Sequence, residues 1–122
     1  MKSILLVGLG GAVGSMLRYF TTSTFYRVMN TTFPIGTFAV NIIGCVLIGI
    51  LVSAAEKNQL INNDVRLLLI TGFCGGFTTF STFSHENIQL LNTGNFTSLS
   101  INIIASVALG IAGVWLGLNI IK

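Results

Sequence analysis

The stretch Thr71-Gly72-Phe73-Cys74-Gly75-Gly76-Phe77-Thr78-Thr79-Phe80-Ser81-Thr82-Phe83-Ser84 decides the fold. It lies in a run without Asp, Glu, Lys or Arg from Leu67 to Ser84. Glycine, threonine and serine crowd its middle, and all three are mediocre or poor helix formers. The expected form is a membrane helix that breaks. Non-helical backbone at membrane depth persists only where protein buries it or it lines a cavity. Such breaks expose carbonyl oxygens and N–H groups, which are tools for binding ions. The plainer alternative is a continuous helix packed through its small residues. Phe80 and Phe83 share a face of the resumed helix. The positive edges of such rings, set along a narrow polar track, suit a small anion. A core role is the other reading of this stripe and the preferred one for Phe77. His85 and Glu86 follow, with no second histidine or nearby cysteine to make a metal site. His85 reads as a solvated helix end, and Glu86 as structural or near an ion mouth.

Outward from this stretch the chain stays apolar. Of its 122 residues 52% are hydrophobic and only 7% charged, against about 25% charge in a soluble domain. Mean hydropathy is +0.88. No charge occurs from Val28 to Ala55 or from Asn87 to Ile121. Each run exceeds the roughly 20 residues a spanning helix needs. A fourth stretch, Ile4 to Tyr26, holds one interior charge, Arg18. The expected fold is an all-α integral membrane protein, one domain over residues 1–122, with four transmembrane helices. A signal peptide is not expected, because the first apolar stretch runs past a usual signal core. The net charge of +3 comes without a basic tail or an aromatic-interleaved basic patch, so nucleic acid is not a partner. Cys45 and Cys74 lie in apolar segments and read as small buried hydrophobes.

Each span carries a small or polar stripe. In span one, about Ile4 to Phe25, Gly10, Gly11, Gly14 and Ser15 recur three and four apart, a spacing that lets helices approach closely in lipid. Arg18 continues the stripe, either snorkelling or capping, or facing an aqueous mouth. Pro34 fits a helix start. Span two, about Ile35 to Ala54, places Thr37, Asn41 and Gly44 on one face. Asn41 needs a partner in hydrocarbon, as an interhelical tie or as a pore-facing donor. Asp64 is the expected cap of span three. Span four, about Thr97 to Ile121, has Asn102, Ser106, Gly110, Gly113 and Gly117 in one protein-facing stripe. Its upper part, Asn102 and Ser106, continues a polar track, and Trp115 faces lipid or a partner.

No catalytic set is present: no nucleophile triad, no HExxH and no phosphate loop. GLGGAVG at 8–14 lacks a βαβ context, so an enzyme is not expected. Cation pathways use carbonyl rings or acids, and proton-driven exporters use an ionisable relay. Hydroxyls, amides and phenylalanines with almost no carboxylate fit a small anion better. Four helices do not readily enclose a pore, so an oligomer is expected, a homodimer by default. Lys2, Lys57, Arg66 and Lys122 on one side stand against Arg27, with or without Arg18. That bias is slight, and insertion in both orientations is compatible with it.

The blocks GGAVGSMLRY at 10–19, GTFAVNIIG at 36–44 and GFCGGFTTFSTFSHE at 72–86 closely resemble the CrcB/Fluc family of fluoride channels. The resemblance covers essentially the whole chain. It separates the chain from the small multidrug exporters, which carry a glutamate in span one. It implies an antiparallel, dual-topology homodimer in the inner (plasma) membrane of a prokaryote. Two fluoride pathways run through such a dimer, each lined by both subunits, and passive export leaves the cytoplasm. The pore asparagine falls on Asn41 and the paired pore phenylalanines on Phe80 and Phe83. The helix break falls around Gly75 to Thr79. There a central structural Na+ is held by backbone carbonyls, those of Gly75 and Thr78. The family arginine falls on Arg18. Hydroxyls of Thr79, Ser81 or Thr82 join Asn41 as donors to fluoride. The span-four track maps onto Asn102 and Ser106. Some relatives continue that track with a tyrosine or serine, whereas here Asn102 takes the first place and Gly110 the third.

Overall fold

Four apolar helices long enough to cross a membrane build the chain. They are seen in a computed structural model that describes residues 1–57 and 61–121. Helix α1 spans Lys2–Val28 and α2 Ile35–Lys57. The third crossing is composite. It contains α3 (Asn63–Arg66), a π-helical segment (Leu67–Cys74), α4 (Gly75–Phe77) and α5 (Phe80–Asn92). The last crossing is α6 (Phe96–Ile120). Lys122, counted above for orientation, and part of the second loop lie outside the described residues.

The ends follow from side-chain caps. Asn62, rather than the expected Asp64, caps α3: its Oδ1 accepts the Val65 N–H at 3.0 Å. Asn and Asp are both good caps, and the chain enters the helix two residues earlier. Asp64 instead pairs with Lys2 at 2.7 Å. Pro34 directly precedes α2, and its carbonyl accepts the first N–H, from Phe38. Gly94 takes the left-handed conformation, φ 75°, that closes α5, and Asn95 then caps α6. At the far end Ser53 and Lys57 both donate to the Ile121 carbonyl, at 3.1 and 2.6 Å. Helix α5 runs beyond Glu86 to Asn92, so His85 is exposed, as expected, but lies within the helix rather than at its end.

Two parallel pairs make the bundle. Helix α1 lies along the π segment and α4, and α2 lies along α6. Glycine sets both approaches. A Cβ on Gly10 would overlap the Leu68 carbonyl and one on Gly14 the Phe73 carbonyl. A Cβ on Gly49 would overlap the Val114 carbonyl, and one on Gly117 that of Val46. The first pair also explains the π segment. Glycines four apart on α1 meet carbonyls five apart on its neighbour, and the wider π turn absorbs the extra residue. Few apolar side chains are fully buried among the described residues: Val40, Cys74, Phe77 and Leu90. Ile, Leu and Phe cover the outside, as lipid demands. Trp115 is among them, and Gly110, Gly113 and Gly117 turn inward.

Candidate functional site

The third crossing breaks at Thr78 and Thr79, whose backbones are extended (φ −88°, ψ 159° and φ −151°, ψ 122°). This is narrower than the expected Gly75–Thr79 interval, because Gly75–Phe77 still forms a helical turn. A break strands backbone groups that must find other partners. Asn41 supplies both for Thr79. Its Oδ1 accepts the Thr79 N–H at 2.8 Å, and its Nδ2 donates to the Thr79 carbonyl at 3.1 Å. Asn41 is thus an interhelical tie from α2, and it also lines the adjoining cavity. Arg18 caps the other side of the break: its Nε donates to the Gly76 carbonyl at 3.0 Å. There the cation meets the negative end of the upstream half-helix.

Four carbonyls lose their helical donors, those of Gly75, Gly76, Phe77 and Thr78, and Arg18 replaces the donor at Gly76. In an unbroken helix the Thr79 N–H would serve Gly75, but it is given to Asn41. The Thr82 N–H would serve Thr78, but it is given to the Thr79 hydroxyl at 3.2 Å. Thr78 turns its own hydroxyl and N–H back to the Cys74 carbonyl, at 2.9 and 3.1 Å.

Beside the break is an open cavity of about 530 Å3. Gly75, Thr78, Thr79, Phe80, Phe83 and Ser106 line it with Asn41, and its lining includes no carboxylate. Phe80 and Phe83 stand with ring centroids 5.8 Å apart and planes tilted by 41°. Phe80 is 78% exposed, so the chain alone does not cover it. Phe77 is buried and stacks on Phe73, which makes it core, as preferred. Cys45 and Cys74 are free thiols beside the same cavity.

Not every expected residue reaches this cavity. Ser81 is exposed and lies 3.3 Å from the Thr79 hydroxyl, and neither it nor Thr82 lines the cavity in this chain. Asn102 is 1% exposed. It receives the Ser106 hydroxyl hydrogen at 3.3 Å and donates to Asn87 Oδ1 at 2.7 Å. Glu86 sits at a separate cavity of about 660 Å3, where the Tyr26 hydroxyl donates to its Oε2 at 2.6 Å. Its Oε1 is buried without a partner among the described residues. Asn87 was not among the residues expected from sequence. Its signal was its spacing: Phe80, Phe83 and Asn87 fall on one helical face.

The fold and site define a multi-pass membrane protein whose third helix breaks beside a largely apolar, acid-free cavity that carries a few amide and hydroxyl groups. Residues 5–118 match the family described as CrcB-like protein, Camphor Resistance (CrcB), and the chain belongs to that family. It is 57% identical over 118 residues to a protein of Phocaeicola vulgatus named fluoride-specific ion channel FluC, covering 97% of each chain. A protein of the same name from Flavobacterium psychrophilum is 47% identical over 122 residues, covering 100% of this chain and 98% of its own. Another from Azobacteroides pseudotrichonymphae is 46% identical, covering 96% and 94%. These are bacterial proteins named as channels, not enzymes.

Proposed function

We propose that this chain is a subunit of a fluoride-selective channel that passively exports fluoride from the cytoplasm across the inner membrane. The observation that carries this reading is the cavity at the break. It joins an amide, hydroxyls and two phenylalanine rings without a carboxylate, and near-full-length relatives bear the name fluoride-specific ion channel.

Fluoride is small and strongly hydrated, so entry needs replacement donors. Asn41 spends one amide hydrogen on Thr79 and keeps a second. Phe80 and Phe83 contribute ring edges, the positive part of the aromatic quadrupole. Ser106 brings a hydroxyl oxygen from α6 whose hydrogen is given to Asn102, so it becomes a donor to the ion only when that hydrogen turns. No proton transfer or covalent step is needed, and flux follows the fluoride gradient.

The exposure of Phe80 and the openness of the cavity support a pathway completed by a second copy. An antiparallel homodimer is the form proposed, with two such pathways. The residues also fit a central sodium ion. Gly75 and Thr78 would hold it through carbonyl oxygens that have lost their helical donors. A cation there supplies fixed positive charge at the protein centre.

Fluoride efflux from liposomes holding the purified protein, with chloride as control, tests the reading. Fluoride release without chloride release is expected. Impermeable liposomes, or equal release of both halides, would overturn it.

A further inference from the structure

We propose that Asn87 is a positioning residue for the ion pathway, deciding whether Ser106 presents a hydrogen or a lone pair to the cavity. This rests on the channel reading above. Ser106 lines the cavity, but its hydrogen points away, to Asn102 Oδ1. Asn102 holds that orientation because its Nδ2 is engaged by Asn87 Oδ1 at 2.7 Å. In this arrangement the serine shows the cavity only oxygen lone pairs, which repel an anion.

The opposite arrangement needs two coupled turns. If the Asn102 amide rotates end for end, its Nδ2 serves the Ser106 oxygen and the serine hydrogen is released toward the cavity. Asn102 Oδ1 then faces Asn87, which must turn and offer its own Nδ2. Asn102 is 1% exposed, so water does not readily replace either partner, and an unpartnered buried amide is costly. Position 87 must therefore hold a group able both to accept and to donate at similar reach. An asparagine does this; an ionised aspartate accepts only. The sequence places Asn87 one turn beyond Phe83 on the same face, so the rings and this relay are carried by one helix.

Asn87→Asp separates this role from a merely structural tie. Aspartate still accepts the Asn102 hydrogen, so a simple α5–α6 tie survives, but the relay is locked with the Ser106 hydrogen turned inward. Fluoride efflux from liposomes with size-verified protein should slow about tenfold, the effect of one hydrogen bond lost at the barrier. The same substitution in a Ser106→Ala background should slow efflux less than about twofold further, because no hydroxyl remains to turn. Unchanged flux for Asn87→Asp, or an equal loss in both backgrounds as bare charge repulsion predicts, would overturn the proposal. If the aspartate variant does not fold, Asn87→Gln, whose amide can still both accept and donate, should keep efflux within about twofold of the parent, and a tenfold loss there would overturn the proposal. Absence of fluoride flux in the unsubstituted protein would instead defeat the channel reading itself, so the two failures are distinct.

Discussion

Asn41 holds the break open and leaves part of itself to the cavity. Its two bonds to Thr79 mimic a backbone partner that no helix supplies there. Asn41→Ala strands two backbone groups, each worth about 1–3 kcal/mol if it stays dry. Melting in detergent should therefore fall clearly below the parent. Asn41→Asp keeps the acceptor for the Thr79 N–H but sets oxygen against the Thr79 carbonyl and charge in the proposed anion path. Its fluoride efflux should fall further than that of Asn41→Ser, by about tenfold or more from the parent; equal flux in the two variants would refute the assignment. The phenylalanines behave differently. Phe80 is mostly exposed on the chain, so Phe80→Ile should cost little fold stability, whereas efflux should fall sharply if its edge faces the ion. Phe83→Ile should do the same. Normal flux in both would make the rings packing alone. Asn41 was legible because an amide alone in an apolar span must find a partner. Which partner it finds was not, since tie and donor demand the same residue. Asn87 escaped because an amide after Glu86 reads as a solvated helix end until α5 is seen to continue.

At the scale of elements, the sequence displayed the glycine stripes and the weak helix formers around the break, and both organise the fold as expected. The π segment was not legible. It arises from matching two helices, Gly10 and Gly14 against the Leu68 and Phe73 carbonyls, and no local preference of Leu67–Cys74 announces it. The position of the break within Gly75–Thr79 was hidden for a related reason. Helix α5 starts on the local Thr79 hydroxyl, but the groups that satisfy the break's backbone, Arg18 at Gly76 and Asn41 at Thr79, come from other helices. The α2–α6 seam makes a direct test of close packing. Gly117→Ala drives a methyl into the Val46 carbonyl, which has no flexible end to yield. Overpacking of this kind costs about 1–3 kcal/mol, so thermal or denaturant unfolding in detergent should shift accordingly. Gly8→Ala, which meets nothing within 4 Å, should leave unfolding unchanged or shift it toward greater stability. Equal behaviour of the two variants would mean that the α2–α6 approach is looser than its glycine contacts imply.

At the scale of the whole molecule, the chain leaves its functional side unfinished. The cavity is open, Phe80 projects from it, and Gly75 is exposed beside carbonyls without helical donors. Gly75 is the informative position. Its φ of −63° is one any residue adopts, and an added Cβ would meet nothing within 4 Å in its own chain. Neither backbone conformation nor intrachain packing requires glycine there, and alanine is the better helix former by about 1 kcal/mol. Were the chain to act alone, Gly75→Ala would be neutral or stabilising. In the proposed dimer the same face meets its counterpart around a shared cation, and a methyl there separates the two chains. We therefore expect Gly75→Ala to retain its helical circular dichroism while the subunits dissociate at higher protein-to-lipid ratios than in the parent, measured by exchange between donor- and acceptor-labelled subunits. Fluoride efflux should decline in step with dimer lost. A variant that assembles and conducts like the parent would show that this face does not meet a second copy, and the central cation site would fall with it.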